Sequence, residues 1–529
     1  MAFRILVSDP LAKEGIECLQ SFPDVEVHVE TEWSEDELVR EIGAFDGLVV
    51  RSGTQVNARV IAAADRLKVI ARAGVGVDNI DVEAATKRGI LVINSPDGNT
   101  IAAAEHTIAM LLSMARQIPQ AHHALVHEGR WARKEFMGVQ LDGKILGVIG
   151  LGRIGIEVVR RTRGFGVQVL GYDPYIPPER AKKLGIELTD IDDICRRADF
   201  ITIHTPLTKQ TENLINRERL AMMKPEARLI NCARGGIIDE EALADALESG
   251  RIAGAALDVF VDEPPTNERL LKAPNLVATP HLGASTHEAQ VRVAMDVAEA
   301  MVLALQGKPV RNAVNAPMFK GEHFEALEPY LDLAERLGRL FTGLFHGGHE
   351  RIEVIFGGEA AELESSALTT AVLKGMLSPV LHEQVNYVNA RLFAEERGLS
   401  LVEIREAKVK DYPNLISIRA TGERGTVNVS GTVVQGNKPA LVDINGYRLN
   451  VTEQGRLLVA RNLDRPGIIG QVGTVLGKAD VNIGFMQVGR KQVGDDAVMV
   501  LGVDQNLPET VMEQLNEIEA LSEIRLAEW

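Results

Sequence analysis

The stretch 144-KILGVIGLGRIGIEVVRRTR-163 decides how this chain folds. An apolar run leads into Gly150, Gly152 and Gly155, in G-x-G-x-x-G spacing, and apolar residues then recur at a helical period. Alone, this glycine pattern is weak evidence. Between a strand and a helix it predicts the phosphate-binding turn of a βαβ unit. The next apolar run, "VQVLGYD", ends on Asp173, 18 residues beyond Gly155. Gly150 permits the tight turn. Gly152 lets backbone N–H groups approach a pyrophosphate at the positive end of a helix. Gly155 lets that helix pack closely on the strand. The Asp173 carboxylate can accept both hydroxyls of an adenosine ribose and would repel a 2′-phosphate. Pro174-Tyr175 brings no cation to offset that repulsion. The expected cofactor is therefore NAD rather than NADP.

Strand and helix patterns alternate on both sides of this turn. Upstream, "FRILVSD", "VEVHVE", "DGLVVRSG", "LKVIARAG" and "GILVINSP" read as buried strands with helix patterns between them. That order implies a parallel sheet covered by helices. One long helix pattern, "TIAAAEHTIAMLLSMARQIPQAHHALVHEG", precedes the turn. Downstream, alternation continues through "ADFITIHTP", "ARLINCARGG", "GAALDVF" and "NLVATPHLG". The helix pattern "STHEAQVRVAMDVAEAMVLALQG" can return the chain to the first block, and "KPVRNAVNAP" reads as a linker. Residues 320–453 show early helices and later short strands. Residues 456–529 read β-α-β-β-α-β, the order of a ferredoxin-like sandwich. The expected class is α/β with two doubly wound parallel-sheet domains. One is flavodoxin-like (1–99 with 287–316) and one a Rossmann domain (100–286). An α+β domain (317–454) and a ferredoxin-like domain (455–529) follow.

A length of 529 residues suits three or four domains of about 150 residues. Hydrophobic residues at 45% and charged residues at 25% match a soluble globular protein. The net charge of −17 disfavours a nucleic-acid backbone as partner. No run of about 18 apolar residues occurs, so no membrane span is expected. Cys18, Cys195 and Cys232 lack C-x-x-C spacing, which excludes a disulfide framework and a zinc site. With no signal-peptide pattern at the N-terminus, the expected location is the cytoplasm. His123 and His127 stand at i,i+4, a spacing that metal sites use, with His122 beside them. Without a third ligand they read as a solvated or subunit-facing surface, and no metal is expected.

In open α/β sheets, ligands bind outside the carboxyl ends of the strands. In the second block these ends carry Arg153-Ile154, Asp173, Thr205, Cys232-Ala233-Arg234, Asp258 with Glu263, and His281. Arg234, Glu263 and His281 converge where a nicotinamide should lie. A guanidinium holds a carboxylate bidentately and polarises the neighbouring C–O. An imidazole takes a hydroxyl proton as hydride leaves, or returns it in reverse. A carboxylate on the other imidazole nitrogen fixes the tautomer and favours the protonated form. For Glu263 the alternative is a surface turn in "VDEPP". Asp258 is a candidate for positioning the nicotinamide. Cys232 reads as a small residue lining the cofactor rather than a nucleophile, since no separate base is implied.

"GLGRIG", "NCARGG", "LDVF" with "DEPP", and "PHLGAST" together resemble the D-2-hydroxyacid dehydrogenases. "ARAGVGVDNID", "ARQIPQA" and "CARGGIIDEEAL" are similar to the long phosphoglycerate dehydrogenases of that family, over nearly the whole chain. The resemblance implies catalytic roles for Arg234, Glu263 and His281. It implies NAD contacts from the glycine turn, Arg153, Ile154, Asp173, Thr205, Cys232, Ala233, Arg234, Asp258, His281, Leu282, Gly283 and Ala284. Val75 departs from relatives that carry Thr there, which puts one side-chain contact in doubt. The implied reaction is oxidation of D-3-phosphoglycerate to 3-phosphohydroxypyruvate, the first step of L-serine biosynthesis. Its phosphate needs further cations. Arg51 and Arg72, with Gly74, stand at strand ends of the first block. Arg133 and Lys134 would reach across from a partner in a homo-oligomer, dimer or tetramer. "NLDRPGIIGQVGTVLG" with "VNI" resembles an ACT domain and implies L-serine as an allosteric ligand. Asp464 would take its ammonium group and Asn482 either end. The preceding region resembles the family's intervening domain, with Lys438 and Arg448 as candidate anion contacts. Two rivals stand: a dehydrogenase of 2-hydroxyglutarate, glyoxylate or hydroxypyruvate, and an NAD-sensing, corepressor-like binding protein.

Overall fold

A computed structural model describes residues 2–308, 310–317, 324–345, 351–381, 383–422 and 425–529. Two parallel sheets account for the first 280 residues or so. The first runs Val25–Val29, Phe3–Val7, Gly47–Val50, Val69–Arg72, Leu91–Ile93 across its width. This is the flavodoxin-like winding. The second runs Leu276–Ala278, Gly254–Leu257, Arg228–Asn231, Phe200–Ile203, Ile145–Ile149, Gln168–Tyr172, Ile186–Leu188. Its winding reverses between Ile145–Ile149 and Phe200–Ile203, the switch point at which such sheets bind ligands. Gly47–Val50 and Phe200–Ile203 are buried along their whole length. Helices cover both faces, which is why these segments are continuously apolar rather than alternating.

The two blocks exchange helices. Thr100–Ala115 packs Met110, Leu111 and Met114 against Leu146, Val148 and Ile230 of the second sheet. His287–Leu305, capped by Thr286, returns to place Val293, Val297 and Met301 on Ile5, Val7 and Val49 of the first. The chain therefore crosses the cleft twice, near residues 99 and 286. The long helix pattern is in fact two helices. Thr100–Ala115 ends, Gln117 takes φ +51°, and Ile118–Val126 starts with a proline in its first turn. The expected linker is stitched to the first sheet. Asn315 accepts from Val92 N at 2.8 Å and donates to the Ile90 carbonyl at 2.9 Å, and Ala313 bridges Ile93.

The third sheet is mixed: Leu401–Glu406, Ile352–Gly358, Asn414–Gly422, Gly425–Val434, Lys438–Ile444, Tyr447–Val451, with only its first pair parallel. The helices Phe324–Leu344 and Ser365–Leu377 bury Leu333, Leu337, Leu368 and Val372 in its core. The fourth sheet is antiparallel, in the order Ile483–Arg490, Asp496–Val503, Arg456–Leu463, Leu521–Glu528. The helices Ile468–Lys478 and Glu509–Asn516 complete a ferredoxin-like unit. Among the described residues, no helix is long and apolar enough to cross a membrane.

Candidate active site

The glycine turn lies at the switch point of the second sheet. Gly150 has φ +95°, and a Cβ there would fall 2.6 Å from the His204 carbonyl oxygen. Only glycine takes that position without strain. A Cβ on Gly155 would collide with the Gly150 carbonyl, so the helix Arg153–Thr162 presses directly on the turn. Gly152 is the N-cap of that helix. No side chain caps it, and open space lies above it. Its first N–H groups therefore face an anion-sized cradle. Beside the turn, the buried Thr205 Oγ1 has no partner among the described residues. Asp173 is aimed by backbone: Oδ2 accepts from Leu151 N and Oδ1 from Tyr175 N, both at 2.8 Å. Each oxygen keeps a lone pair for a ribose hydroxyl. The cradle, the orphaned hydroxyl and the fixed carboxylate fit NAD. Arg153 pairs with Asp97 of the first block at 2.6 Å, and Ile154 packs half-buried against Ala104 and Val158.

His281 follows the last strand of this sheet with φ +55°. Its Nδ1 lies 2.7 Å from Glu263 Oε2, while Glu263 Oε1 accepts from Phe260 N at 3.2 Å. A carboxylate at Nδ1 holds the proton there and leaves Nε2 to accept another. Asp258 is tied to the loop that carries His281. It is fully buried, and its oxygens are committed to the loop carrying His281. Oδ1 accepts from Thr279 Oγ1 at 2.6 Å and Leu282 N at 2.7 Å, and Oδ2 accepts from Gly283 N at 2.8 Å. His106 Nε2 stands 3.1 Å from Oδ1. Burial pushes the Asp258 pKa up, but the bonds from His106, Thr279 and Leu282 outweigh it and hold the group below the usual carboxylate range. Neither His106 nor Thr279 was marked by the sequence pattern. Cys232, in contrast, is pushed up to about 12 by burial and by Asp258. It is a thiol at neutral pH, which suits a lining residue and not a nucleophile. His106, Cys232 and Asp258 bring potential ligand atoms within 4.8 Å of one another. Since the Asp258 oxygens already accept N–H and O–H donors, the cluster reads as a hydrogen-bond network.

Three guanidinium groups complete the cleft. Arg234 donates from Nε to Asp78 Oδ2 at 3.1 Å and from Nη1 to its neighbour's carbonyl at 2.7 Å. Arg72 donates from Nε to Asn79 Oδ1 at 2.9 Å. Arg51 donates from Nη1 to the Pro10 carbonyl at 3.0 Å, and its buried Nε has no partner among the described residues. Glycines make room for two of them. A Cβ on Gly74 would lie 2.5 Å from Arg72 Nη1, and one on Gly76 would strike Arg234 Nη2. Burial, then the nearby Arg234, press the Arg72 pKa below the usual arginine range; Asp78 opposes this and Arg51 adds to it. Arg51, Arg72, Gly74, Arg234, Glu263 and His281 all line one cavity of about 620 Å3 between the two blocks, joined there by Ala284.

Other expected residues lie elsewhere. Arg133 and Lys134 are exposed on the segment after Ile118–Val126 and do not line that cavity. His127 contacts the rings of His122 and His123, and His123 pairs with Glu128 at 3.5 Å. In the fourth sheet, Asp464 accepts from Gly494 N and Arg490 Nη1, both at 3.2 Å. The Gly494 bond, then Arg490, hold its carboxyl below the usual range. Asn482 donates to Asp504 Oδ2 at 2.6 Å. Both serine candidates thus have partners within their own unit. Lys438 is exposed, and Arg448 pairs with Asp411 at 2.5 Å.

Comparison with known proteins agrees with this geometry. Residues 108–283 match the D-isomer specific 2-hydroxyacid dehydrogenase, NAD binding domain. Residues 326–445 match the D-3-phosphoglycerate dehydrogenase intervening domain, and residues 456–520 the ACT domain. The chain is 46% identical to D-3-phosphoglycerate dehydrogenase of Methanocaldococcus jannaschii, over 98% of this chain and 99% of the relative. The enzyme of that name from Synechocystis sp. is 47% identical over 97% and 93%, and that from Bacillus subtilis 43% over 99% of each. Among solved structures, D-lactate dehydrogenase from Aquifex aeolicus, complexed with NAD and lactic acid, gives a TM-score of 0.53 at 28% identity. It covers 59% of this chain and 99% of its own. The apo-structure of D-lactate dehydrogenase from Escherichia coli covers the same shares at 26% identity and a TM-score of 0.53. With an NAD-binding turn, an Arg-Glu-His cleft, an intervening domain and an ACT domain in one chain, the protein belongs to the D-3-phosphoglycerate dehydrogenase family of D-isomer specific 2-hydroxyacid dehydrogenases.

Proposed function

We propose that this protein oxidises D-3-phosphoglycerate at C2 to 3-phosphohydroxypyruvate, the first step of L-serine biosynthesis. The observation that carries the substrate is the crowding of Arg51, Arg72 and Arg234 in the cavity that also presents the Glu263–His281 pair. A ligand with a carboxylate at one end and a phosphate at the other relieves that repulsion at both ends; a simple hydroxy acid relieves it at one. Arg234 Nη2 has no bond among the described residues and can hold the carboxylate. Arg51 and Arg72 face the phosphate. His281 Nε2 removes the C2 hydroxyl proton, and Glu263 balances the positive charge that then forms on the ring. NAD, when bound, supplies the nicotinamide that accepts the C2 hydride. Gly150, Gly152, Gly155, Asp173 and Thr205 would hold its dinucleotide, with Cys232, Ala233, Leu282, Gly283 and Ala284 lining the way to the cleft. The two chain crossings are the hinges on which the cleft closes against water.

The working form is a homo-oligomer in the cytoplasm. Its support is the exposed apolar surface around Leu125, Val126, Trp131 and Met137, with the two last at 77% and 76% exposure. Isolated apolar side chains are common at surfaces, but four this exposed and this close in sequence suit an interface. That interface would carry Arg133 and Lys134 toward the phosphate of a neighbouring cleft. In the ACT unit, the uncapped N-terminus of Ile468–Lys478 suits the carboxylate of L-serine. Asp464 and Asn482 would bind the rest, shared with Arg490 and Asp504.

Initial rates of NADH formation test the proposal, with hydrazine present to trap the ketone. D-3-phosphoglycerate should exceed D-glycerate, which lacks a distal anion, in kcat/KM by at least about a hundredfold, the worth of two charge-assisted phosphate contacts, and should exceed D-2-hydroxyglutarate, whose second carboxylate can meet the same cations, by a smaller factor. Turnover of another hydroxy acid alone would remove the substrate and leave the hydride chemistry. NAD binding without turnover of any of them would favour the binding-protein reading.

A further inference from the structure

His106 has no part in the roles assigned so far. It stands in the middle of Thr100–Ala115, with its side chain 18% exposed, behind the strand ends of the second sheet. The loop it touches is the one that presents His281. At φ +55°, His281 holds a backbone conformation that a non-glycine residue keeps only when its surroundings enforce it. Asp258 does the enforcing. Its carbonyl accepts from His281 N at 2.9 Å, and its carboxylate takes the next two N–H groups, Leu282 and Gly283. A fully buried carboxylate must itself be satisfied. Two side chains reach it: Thr279 Oγ1 at 2.6 Å and His106 Nε2 at 3.1 Å from the same oxygen. His106 Nε2 also lies 3.2 Å from Thr279 Oγ1, so one imidazole N–H spans both ends of the brace.

We propose that His106 is a positioning residue for hydride transfer: through Asp258 and Thr279 it fixes the loop that sets His281 against Glu263 and the substrate. This rests on the reading of His281 as the acid–base group. Loss of the His106 N–H leaves Asp258 under-satisfied in a buried site. The carboxylate then turns toward other donors or water, and the Leu282 and Gly283 bonds that hold the loop weaken. The imidazole of His281 shifts while the dinucleotide turn at Gly150 to Gly155, on other strands, stays as it is.

The test compares His106→Ala, His106→Gln and Thr279→Val in the full-length protein with D-3-phosphoglycerate. The Gln side-chain N–H can stand where the imidazole Nε2–H stood. The Val variant keeps the Thr volume without its hydroxyl. His106→Ala should lower kcat about tenfold or more, the scale of a small misplacement of a reacting group, with KM for NAD changed less than about threefold. His106→Gln should return kcat to within about threefold of the parent, and Thr279→Val should fall with His106→Ala. Thermal unfolding and NADH fluorescence on binding establish that each variant folds and takes cofactor. If the Ala variant does not fold, the Gln and Val variants decide alone. A kcat for His106→Ala or Thr279→Val within about twofold of the parent overturns the proposal, as does a Gln variant no better than Ala, or a loss confined to KM for NAD. His281→Asn is measured beside them. Full activity in that variant would remove the acid–base reading itself, a failure distinct from that of His106.

Discussion

Replacing Glu263 by Gln keeps an acceptor oxygen near His281 Nδ1 and removes only the charge. The two groups are 2.7 Å apart and expose 47% and 39% of their side chains. At that distance a unit charge pair is worth about 1.5 kcal/mol with full water screening and about 3 kcal/mol at half that dielectric. Half-exposed groups lie toward the screened limit. The imidazolium that forms as His281 takes the hydroxyl proton loses this much stabilisation. A loss of 1.5 to 3 kcal/mol corresponds to a kcat lower by about tenfold to a hundredfold. The assay is steady-state NADH formation with hydrazine, together with the reverse reaction followed as NADH consumption. KM for NAD should stay within about twofold, because Glu263 belongs to no part of the dinucleotide turn. A Glu263→Gln enzyme with kcat within twofold of the parent would refute the charge argument. So would a loss that appears equally as weaker NAD binding.

Three further outcomes are expected. Asp173→Ala should raise KM for NAD by about a hundredfold, from two lost charge-assisted bonds to ribose, and narrow the preference over NADP; an unchanged NAD/NADP ratio contradicts the assignment. Burial holds the His204 imidazole down at about 4, against an ordinary 6.5. Above pH 6.5 the ring is neutral whether the chain is folded or unfolded and contributes nothing. Below it the unfolded chain binds a proton that the folded chain refuses, so stability falls as pH drops from 6.5 toward 4, by about 2 kcal/mol at pH 5. His204→Gln should flatten that acid limb in urea titrations relative to the parent; equal slopes contradict it. Asp464→Ala should blunt inhibition by L-serine at least several-fold without altering uninhibited kcat; unchanged inhibition excludes the site.

The glycine turn, Asp173 and the Arg-Glu-His set were legible because their information is local. Gly150, Gly152 and Gly155 sit at fixed spacing in one segment, and the rule that ligands bind at strand ends places Arg234, Glu263 and His281 along one sheet edge without knowledge of their contacts. The ferredoxin-like order of the last 70 residues was legible for the same reason. What escaped depends on residues far apart in the chain. His106 and Thr279 are separated by 173 positions, and nothing in "AAAEHTIAM" distinguishes a histidine that faces a strand end from one that faces solvent. Asp258 was visible as a strand-end acid, but the direction of its carboxylate is set by the N–H groups of Leu282 and Gly283. The break at Gln117 was hidden by apolar periodicity that continues through it. The described part of the expected linker, 310–317, is stitched to the first sheet through asparagine side chains, which read as loop residues when no partner is in view.

The most direct measurement is isotopic. D-3-phosphoglycerate deuterated at C2 is incubated with the protein, NAD and hydrazine, and the mass of the NADH formed is determined. Hydride transfer in the Arg234–Glu263–His281 cleft predicts one deuterium per NADH, and in His281→Asn a much lower rate of NADH formation with the same one deuterium in whatever NADH forms. NADH formed without deuterium, or no NADH from this substrate at all, would contradict oxidation at C2.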